Sequence, residues 1–335
     1  MPIRVAINGF GRIGRLVLRA IHEGNRKDLD VVAINDLGSI EANAHLLKYD
    51  SVHGPFPGRV RPTARGINFG RGTVPVLAER DPANLPWDKL KVDVALECTG
   101  LFTKREAAAK HLEAGAKRVL ISAPATGEDI TVVRGVNHTR LRKSHRIISN
   151  ASCTTNCLAP VVSVVNKAVG FQRGFMTTVH SYTGDQRIHD TLHSDLRRAR
   201  AAAQNMIPTS TGAAKAVGLV LPELAGKIDG TAVRVPTINV SMIDLTFVSK
   251  KACTVEDINK AVIRAADGPM KGVLAYTDEP LVSGDFNHNP ASSIFDLAET
   301  QVLEGRFVRV LSWYDNEWGF SNRMVDVAAM VGKLG

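Results

Sequence analysis

The hydrophobic and polar positions of this chain follow two different patterns. In the first half, short apolar runs at residues 3–7 and 31–34 alternate with a segment at 11–23 whose apolar residues recur at helical spacing. Further along, the same alternation predicts a strand at 92–97, a helix at 104–114 and strands at 119–122 and 146–149. A Pro-, Gly- and Arg-rich stretch at 53–72 predicts loops with short strands. Strands that alternate with helices predict right-handed crossovers and a mainly parallel sheet.

The pattern changes near residue 149. A helix is predicted at 153–169, and longer strand candidates follow it at 174–180, 231–235, 238–248 and 307–314. Because these strands alternate imperfectly and lie far apart in sequence, they predict an antiparallel or mixed sheet. The polar, Arg-rich stretch at 181–208 is too long for an ordinary connection, and loops of that length tend to be functional or interface-forming. A last helix is predicted at 318–331.

Together, the two patterns predict an α/β protein with two domains. The first spans residues 1–150 and is joined by a C-terminal helix within residues 316–335. The second spans residues 151–315 and includes the long loop at 181–208. A chain of 335 residues, of which 44% are hydrophobic, is long enough to bury a core in each domain.

Charge narrows the class of ligand only slightly. The net charge of +9, from 42 basic and 33 acidic residues, suits phosphorylated substrates, an anionic cofactor or weak attraction to nucleic acid. Scattered solvated charges explain the same value equally well. Only 5% of the residues are aromatic and no nucleic-acid-binding motif is present, which argues against nucleic acid as the primary partner.

The cysteine and histidine spacings predict neither a disulfide framework nor a metal site. The four cysteines match no zinc pattern and are too few for a disulfide scaffold. His189 and His193 have helical i,i+4 spacing, but no third ligand is evident. The first residues resemble no signal peptide, and no apolar run is long enough to span a bilayer. We therefore expect a cytoplasmic protein with no metal and no membrane partner.

A glycine pattern near the N-terminus predicts a dinucleotide site. Gly9, Gly11 and Gly14 form G-x-G-x-x-G between a predicted strand and an amphipathic helix. These glycines allow a tight turn, close approach of the backbone to a pyrophosphate, and close packing of helix on strand. The helix N-terminus then faces the phosphate charge. Asp36, at the end of the next strand, is positioned to bind a ribose diol and repel a 2′-phosphate, which favours NAD.

Cys153 is the candidate nucleophile. It begins the predicted helix at 153–169, and a helix N-terminus lowers the pKa of a thiol. Ser152 and Thr154 beside it are suited to cap the helix and to donate hydrogen bonds to an oxyanion or phosphate. The alternative is a small buried hydrophobe, a description that suits Cys98 and Cys253 better. Covalent catalysis is therefore the favoured interpretation for Cys153.

Further along the chain lie candidate partners for such a nucleophile. His180 ends the strand that follows the Cys153 helix, so the chain can bring it back toward the thiol, although periodicity alone favours a buried core histidine. Residues 207–215 place hydroxyls and free backbone N–H groups at a helix start, which suits an anion. Arg234 is a lone charge within an apolar strand. The remaining candidates are Arg197, Arg198 and Arg200, whose pattern fits either solvated side chains or phosphate ligands.

Taken together, these residues resemble the phosphorylating glyceraldehyde-3-phosphate dehydrogenase family of the NAD-dependent, bacterial type. The resemblance covers essentially the whole chain and is most specific in the Ser-Cys-Thr-Thr-Asn-Cys run. The segments that carry it are residues 8–14, 152–157, 210–215, 234–237 and 313–318. It implies a Rossmann dinucleotide-binding domain, an α+β catalytic domain with a mixed or antiparallel sheet, and a homotetramer whose inter-subunit loop is residues 181–208.

The resemblance also implies roles for individual residues. Cys153 attacks the aldehyde of D-glyceraldehyde 3-phosphate, His180 takes the proton, NAD is reduced, and inorganic phosphate releases 1,3-bisphosphoglycerate from a thioester, a step of glycolysis and gluconeogenesis. The implied substrate-phosphate ligands are Thr183 and Arg234. The implied inorganic-phosphate ligands are Ser152, Thr154, Arg197, Thr211 and Gly212. The implied NAD ligands are Gly9, Gly11, Arg12, Ile13, Gly14, Asp36, Arg80, Thr99, Ser122 and Asn316.

Two alternatives remain at this point. Erythrose-4-phosphate dehydrogenases share the Cys, the His and the dinucleotide half, but they typically lose the Ser-Thr-Gly signature that is intact here at residues 210–212. A secondary, nonenzymatic RNA-binding role would use the basic surface. In addition, Thr191-Leu192 stands where many NAD-specific members resemble Leu-Pro, so the strictness of NAD over NADP stays open.

Overall fold

The computed structural model describes residues 1–334, which divide into two compact units. The first unit comprises residues 1–132, 138–151 and the chain from Ser321 onward. The second comprises residues 133–137 and 152–320. Each unit is built around one sheet. The functional domain boundaries expected near residues 150 and 315 stay a prediction.

The helices lie largely where the apolar spacing predicts them. They are α1 (Arg12–Glu23), α2 (Ile40–Lys48), α3 (Arg105–Glu113), α4 (Cys153–Val169), α5 (Ala213–Val220), α6 (Val255–Asp267) and α7 (Trp318–Gly332). The predictions at 11–23, 104–114, 153–169 and 318–331 are confirmed, whereas α2 and α6 are not anticipated. Both carry local signals, since Ser39 and Thr254 cap their first turns through side-chain oxygens. None of the helices in residues 1–334 combines the length and apolar character needed to cross a bilayer.

The first unit contains a nine-stranded sheet within the described residues. Its strands are β1 (Ile3–Asn8), β2 (Leu29–Asn35), β3 (Arg61–Thr63), β4 (Gly66–Asn68), β5 (Thr73–Leu77), β6 (Val94–Glu97), β7 (Arg118–Ile121), β8 (Ile130–Thr131) and β9 (Ile147–Ser149). The order is β3-β4-β5-β2-β1-β6-β7-β9-β8, and only the β3-β4-β5 end is antiparallel. The predicted mainly parallel sheet is confirmed. Because β1, β2 and β6 run in the same direction, their carboxyl ends place Asn8, Asn35 and Glu97 at one edge.

The second unit contains a seven-stranded sheet within residues 1–334, and this sheet is mixed, in agreement with the expectation of an antiparallel or mixed sheet. Its strands are β10 (Phe171–Ser181), β11 (Ile207–Ser210), β12 (Ile228–Val235), β13 (Ser241–Ser249), β14 (Leu274–Thr277), β15 (Ser293–Leu303) and β16 (Phe307–Tyr314). They follow the order β11-β12-β10-β13-β16-β15-β14, with β10 parallel to β12 and β14 parallel to β15. Helix α4 packs against β10, β13, β15 and β16, and α5 and α6 pack against α4. One face of the sheet is thereby covered.

Candidate active site

Cys153 is the first residue of α4, and the backbone before it makes a sharp turn. Ala151 has φ of 57°, in the left-handed region that residues with a β-carbon rarely adopt. Ser152 then caps the helix, because its Oγ accepts a hydrogen bond from the Thr155 backbone N–H at 3.0 Å. The thiol therefore stands at a helix N-terminus, where backbone N–H groups lack partners within the helix.

The structure brings Cys153 and His180 together, although 27 residues separate them. The Cys153 Sγ lies 3.5 Å from His180 Nε2. On the other side of the ring, His180 Nδ1 lies 2.7 Å from the backbone oxygen of Ser181. Because a carbonyl oxygen can only accept, the ring hydrogen resides on Nδ1, and Nε2 is left to accept the thiol hydrogen. His180 is therefore oriented as a base toward the thiol.

Burial sets the protonation of this pair. Burial lowers the pKa of His180 to about 3, and the positive charge of Arg234 acts in the same direction. Burial also raises the pKa of the Cys153 thiol, against the opposing effects of Arg234 and of hydrogen bonding by Thr154. The backbone N–H groups at the helix N-terminus lower the pKa of this thiol, in the direction expected from the sequence, but their effect is the smaller one. Desolvation outweighs it, and the resting pair is a thiol beside a neutral imidazole.

Arg234 stands next to the imidazole because of strand register. His180 on β10 and Arg234 on β12 are partners in the parallel pairing of the two strands. The Arg234 Nη1 lies 2.9 Å from His180 Nδ1 and 3.1 Å from the oxygen of Ser181, and that oxygen is the atom able to accept its hydrogen. Within residues 1–334, the Nε of Arg234 is buried without a hydrogen-bond partner. A buried guanidinium with an unused donor is suited to bind an anion.

A second arginine near this pair is Arg198, not the predicted Arg197. Arg197 is exposed, and its side chain reaches the Pro208 carbonyl oxygen at 3.5 Å. Arg198 donates to Thr209 Oγ1 at 3.1 Å and to Asp185 at 2.7 Å, and its charge contributes to lowering the pKa values of both His180 and Arg234. Sequence alone offers no signal that distinguishes neighbouring arginines in one polar loop.

Tyr314 is a part of the site that sequence reasoning misses. Its hydroxyl lies 2.9 Å from the Thr154 and Thr178 hydroxyls, and its ring packs edge-on against His180 with centroids 5.9 Å apart. Burial raises the pKa of Tyr314 well above its ordinary value, so the phenol keeps its proton. Thr154, a predicted phosphate ligand, is therefore engaged with Tyr314 in the free protein. The phenol links the helix that carries the thiol to the strand that carries the imidazole.

The remaining predicted phosphate ligands occupy nearby chain ends of the second unit. Thr183 lies two residues beyond the end of β10. Thr211 Oγ1 accepts a hydrogen bond from the Ala213 backbone N–H at 3.2 Å, just before α5. Gly212 is open, since a β-carbon built there would meet no atom within 4 Å. Ser152 is committed to capping α4. Their roles toward phosphate stay a prediction.

The other cysteines differ from Cys153 in their surroundings. Cys157 is buried one turn along α4, with its Sγ 3.3 Å from the Ser293 hydroxyl, and burial raises the pKa of its thiol to about 12. Burial likewise raises the pKa of Cys98. Cys253 is buried with its Sγ 3.8 Å from the Ser249 hydroxyl. In the part of the chain that the structure describes, Cys153 alone among the cysteines has an imidazole within hydrogen-bond distance.

The two histidines at i,i+4 spacing form no metal site. His193 Nε2 lies 3.4 Å from Asp185, and its Nδ1 accepts from the backbone N–H of Asp195 at 2.9 Å. Residues 186–206 form neither helix nor strand, so His189 and His193 do not share a helix face. Within residues 1–334, no group of three or more His, Cys, Asp and Glu side chains could hold a metal ion.

Asn316 has its side-chain amide held in one orientation. Its Oδ1 accepts hydrogen bonds from the hydroxyls of Ser181 and Ser241, each at 2.9 Å, which turns Nδ2 the other way as a donor. Ser241 is itself fixed, because its Oγ accepts from the Ser181 backbone N–H at 3.1 Å. Val240, immediately before it, has φ of 68°, a strained conformation for a β-branched residue. Strain of this kind is held where a side chain must be positioned.

A cavity of about 370 Å³ in the first unit lies at the carboxyl ends of β1, β2 and β6. The predicted cofactor residues among those that line it are Gly9, Gly11, Asp36, Arg80 and Thr99. Gly9 has φ of 88°, and a β-carbon there would lie 2.7 Å from Thr99. A β-carbon on Gly14 would lie 2.0 Å from the Gly9 oxygen, whereas Gly11 faces open space. The cradle thus requires glycine at 9 and 14 and leaves room for a phosphate at 11.

Of the other predicted cofactor residues, Arg12, Ile13 and Ser122 belong to the first unit but are not among the residues that line this cavity. Arg12 forms an ion pair with Asp50 at 2.6 Å, and Ile13 is half-buried on α1. The Ser122 side chain hydrogen-bonds to the thiol of Cys98. Asp36 lines the cavity and also ties down the glycine loop, because its Oδ2 accepts from the Phe10 backbone N–H at 2.8 Å.

The fold and the site together define a dinucleotide-binding protein in which a buried imidazole lies beside a cysteine thiol. Residues 3–105 match the family model of the glyceraldehyde 3-phosphate dehydrogenase NAD-binding domain, and residues 152–316 match that of the C-terminal domain. The chain belongs to the glyceraldehyde-3-phosphate dehydrogenase family, and NAD is its cofactor.

Individual relatives extend this match to the whole chain. The chain is 66% identical to the glyceraldehyde-3-phosphate dehydrogenase of Xanthobacter flavus over 335 residues, which is 100% of both chains. It is 63% identical to that of Cereibacter sphaeroides over 334 residues, and 56% identical to that of Geobacillus stearothermophilus over 336 aligned positions, again with 100% of each chain covered.

Proposed function

We propose that this chain oxidises D-glyceraldehyde 3-phosphate to 1,3-bisphosphoglycerate with NAD and inorganic phosphate, through a thioester on Cys153. The observation that carries the proposal is the 3.5 Å approach of the Cys153 thiol to a buried, neutral His180 beside the unused donor of Arg234, in a member of this family. A nucleophile, a base and an anion-binding cation are the groups that thioester formation on a phosphorylated aldehyde requires.

The first step joins substrate to protein. Cys153 Sγ attacks the aldehyde carbon, the thiol proton passes to His180 Nε2, and the carbonyl π electrons move to the oxygen. The Nδ1–H bond to the Ser181 oxygen supports the imidazolium that forms. That imidazolium and the free N–H groups at the start of α4 then donate hydrogen bonds to the new oxyanion.

The second half of the reaction converts the adduct to an acyl phosphate. NAD, when bound, supplies the acceptor for the hydride that leaves the substrate carbon, and the cavity residues of the first unit would hold it. Asn316, whose amide is oriented by Ser181 and Ser241, is the proposed ligand of the nicotinamide carboxamide. Before the hydride leaves, the His180 imidazolium gives its proton to the oxyanion, and the neutral ring takes that proton back as the thioester forms. An oxygen of inorganic phosphate then attacks the thioester carbon, the carbon–sulfur bond breaks, and the thiolate leaves to recover its proton.

The decisive experiment compares substrates. We expect kcat/KM with NAD to be higher for glyceraldehyde 3-phosphate than for erythrose 4-phosphate, and NADH formation to require inorganic phosphate. NADP in place of NAD tests the preference attributed to Asp36. A higher kcat/KM for erythrose 4-phosphate would overturn the substrate assignment. The intact site favours neither the erythrose-phosphate alternative nor a nonenzymatic RNA-binding role.

The two neighbouring arginines offer a matched pair for the phosphate site. We expect Arg198→Leu to raise KM for inorganic phosphate by about tenfold or more, the effect of losing a charge-assisted hydrogen bond, and Arg197→Leu to change it far less. The reason is that the Arg198 charge acts on His180 and Arg234, whereas the Arg197 side chain is exposed. Steady-state kinetics of both variants measure the difference. A larger effect at Arg197 would restore that residue to the site.

The orientation of Asn316 makes a separate prediction. Ser241→Ala removes one of the two hydroxyls on Asn316 Oδ1, and we expect the Kd for NAD to rise by about three- to tenfold. Ser249→Ala is the control, since Ser249 is a buried serine at the other end of β13. Isothermal titration calorimetry measures the Kd of both variants for NAD. Equal affinities for the two variants would show that Ser241 does not orient the amide.

Exposed apolar side chains support assembly into a homotetramer. The loop at 181–208 exposes four large hydrophobic side chains, and the open face of the second sheet exposes Phe175 and Phe307. The four are Ile188 at 80%, Leu192 at 90%, Leu196 at 81% and Met206 at 75% exposure. Apolar surface of this extent marks a protein interface. Sedimentation equilibrium tests the tetramer. A reducing, cytoplasmic setting is proposed because Cys153 must remain a free thiol.

A further inference from the structure

Glu97 is a buried carboxylate that lies behind the cofactor cavity without lining it. It ends β6 with 1% of its surface exposed. Its Oε1 accepts from the backbone N–H of Thr99 at 2.8 Å and from the Thr99 hydroxyl. Its Oε2 accepts from Asn8 Nδ2 at 2.6 Å and from His111 Nε2 at 3.0 Å. Within residues 1–334 no Lys or Arg forms an ion pair with this carboxylate, so these four donors satisfy it.

His111 is fixed as a donor to Glu97 by a second buried contact. The indole Nε1 of Trp87 lies 3.0 Å from His111 Nδ1, and both side chains are fully buried. Because an indole N–H can only donate, Nδ1 must accept, and the ring hydrogen resides on Nε2, which faces Glu97. His111 lies on α3, so its hydrogen bond anchors the Glu97 carboxylate to that helix.

One branch of this network reaches the glycine loop. Thr99, held twice by Glu97, packs so closely on Gly9 that a β-carbon there would lie 2.7 Å from the Thr99 backbone nitrogen and methyl group. The Thr99 hydroxyl also accepts from the backbone N–H of Leu101 at 3.0 Å. Gly9, Thr99 and Leu101 all line the cavity. The position of Glu97 thus determines where this wall stands.

The other branch reaches the opposite wall. Asn8, held by Glu97, accepts from Asn35 Nδ2 through its Oδ1 at 2.7 Å. Asn35 in turn bonds the backbone of Glu79 in both directions, each at 2.8 Å. Asn8, Asn35 and Glu79 also line the cavity. One buried carboxylate therefore holds the ends of β1 and β6 directly and that of β2 through Asn35.

We propose that Glu97 is a positioning residue for NAD: as an acceptor for four donors, it sets the spacing between the glycine loop and the facing walls of the cavity. A carboxylate suits this role because both of its oxygens accept, whereas a glutamine amide offers one accepting oxygen and would set its NH₂ against two donors. The inference rests on the assignment of NAD as the cofactor and goes beyond the proposed function. Glu97 touches neither substrate nor the reacting atoms.

The test is Glu97→Gln, with Glu113→Gln as control, because Glu113 is an exposed glutamate at the end of α3. We expect Glu97→Gln to raise the Kd for NAD by about tenfold or more, since two donors lose their acceptor. The affinity for ADP-ribose, which lacks the nicotinamide, should fall by the same factor because the glycine loop faces the pyrophosphate. KM for the aldehyde, kcat at saturating NAD and the alkylation rate of Cys153 should stay near the values of the control.

A second pair of variants keeps the proposal decidable if Glu97→Gln does not fold. His111→Gln places an amide N–H where Nε2 stands and so retains a donor to Glu97, whereas His111→Asn retains only the position of Nδ1. We expect His111→Gln to bind NAD more tightly than His111→Asn. If the role of His111 were merely structural, both variants would have lower melting temperatures and their Kd values for NAD would be equal.

Three results would overturn the proposal. They are an unchanged Kd in folded Glu97→Gln, equal Kd values for the two His111 variants, and a loss of NAD affinity without a loss of ADP-ribose affinity. Failure of the unaltered protein to bind NAD would instead overturn the cofactor assignment, and the positioning role with it. Calorimetric titration of the full-length protein distinguishes these outcomes.

Discussion

Replacing Cys153 by serine is expected to lower the rate of phosphate-dependent NADH formation by about 10⁴-fold or more and to leave the Kd for NAD unchanged. A serine hydroxyl fits the same space, but it ionises far less readily than a thiol and forms an ester instead of a thioester. The cavity assigned to NAD lies in the first unit and does not include residue 153, so cofactor binding should be preserved. Steady-state kinetics and calorimetry measure the two quantities on one preparation.

Cys157→Ser is the matched control for this variant. Cys157 lies one turn along α4, buried beside the Ser293 hydroxyl and without an imidazole partner. The Cys157→Ser variant is expected to retain most of the activity. Turnover near the unaltered level in Cys153→Ser would end the covalent mechanism. Equal losses in both variants would point to disruption of α4 and not to loss of a nucleophile.

His180→Asn is expected to lower kcat/KM by about 10²- to 10⁴-fold, the usual contribution of a general base. Asparagine can keep the donor to the Ser181 oxygen that Nδ1 supplies, but it has no atom where Nε2 faces the Cys153 thiol. The local fold should therefore persist while the proton acceptor is lost. The His180→Gln variant, which places an amide near the Nε2 position, supplies a shape control without a basic nitrogen.

The pH dependence of thiol alkylation distinguishes this role from a structural one. Since burial lowers the pKa of His180 to about 3, the imidazole is neutral throughout the range from pH 5 to 8, and its Nε2 carries no proton where it faces the thiol. Since burial raises the pKa of Cys153, the thiol without its base should react slowly at neutral pH and recover as the pH rises toward that raised value. Iodoacetamide labelling against pH measures the shift. Overlapping profiles for the unaltered protein and His180→Asn would remove His180 from thiol activation.

Most of the elements that carry the site follow from local patterns in the sequence. The bounds of α4 are predicted to the residue, because an oxygen-bearing cap at Ser152 and a glycine at 170 mark its two ends. β15 is not predicted. Its pairing with β16 shifts register between Asp296 and Gln301, and such a shift breaks the period-two alternation that marks a strand.

Site residues divide in the same way. The sequence points to Cys153 and the glycine loop because their chemistry depends on immediate neighbours. Tyr314 and Ser241 escape notice, because each acts through contacts with residues distant in the chain, Tyr314 through Thr154 and Thr178, and Ser241 through Asn316. Arg198 is a candidate from the sequence, but its charge on His180 is what distinguishes it from its neighbours. Nothing in the polar run around Arg197 indicates which arginine turns inward.

By itself, the sequence determined most of the helices and strands that carry the site, the glycine cradle for NAD and the helix start that carries Cys153. These features rest on periodicity, capping and backbone freedom, which act between near neighbours. Only the tertiary structure decided that the resting pair is a thiol beside a neutral imidazole, and that, within residues 1–334, Glu97 has four hydrogen-bond donors and no Lys or Arg partner. Desolvation and long-range hydrogen bonds depend on which distant segments fold over a group, and local pattern carries no record of that.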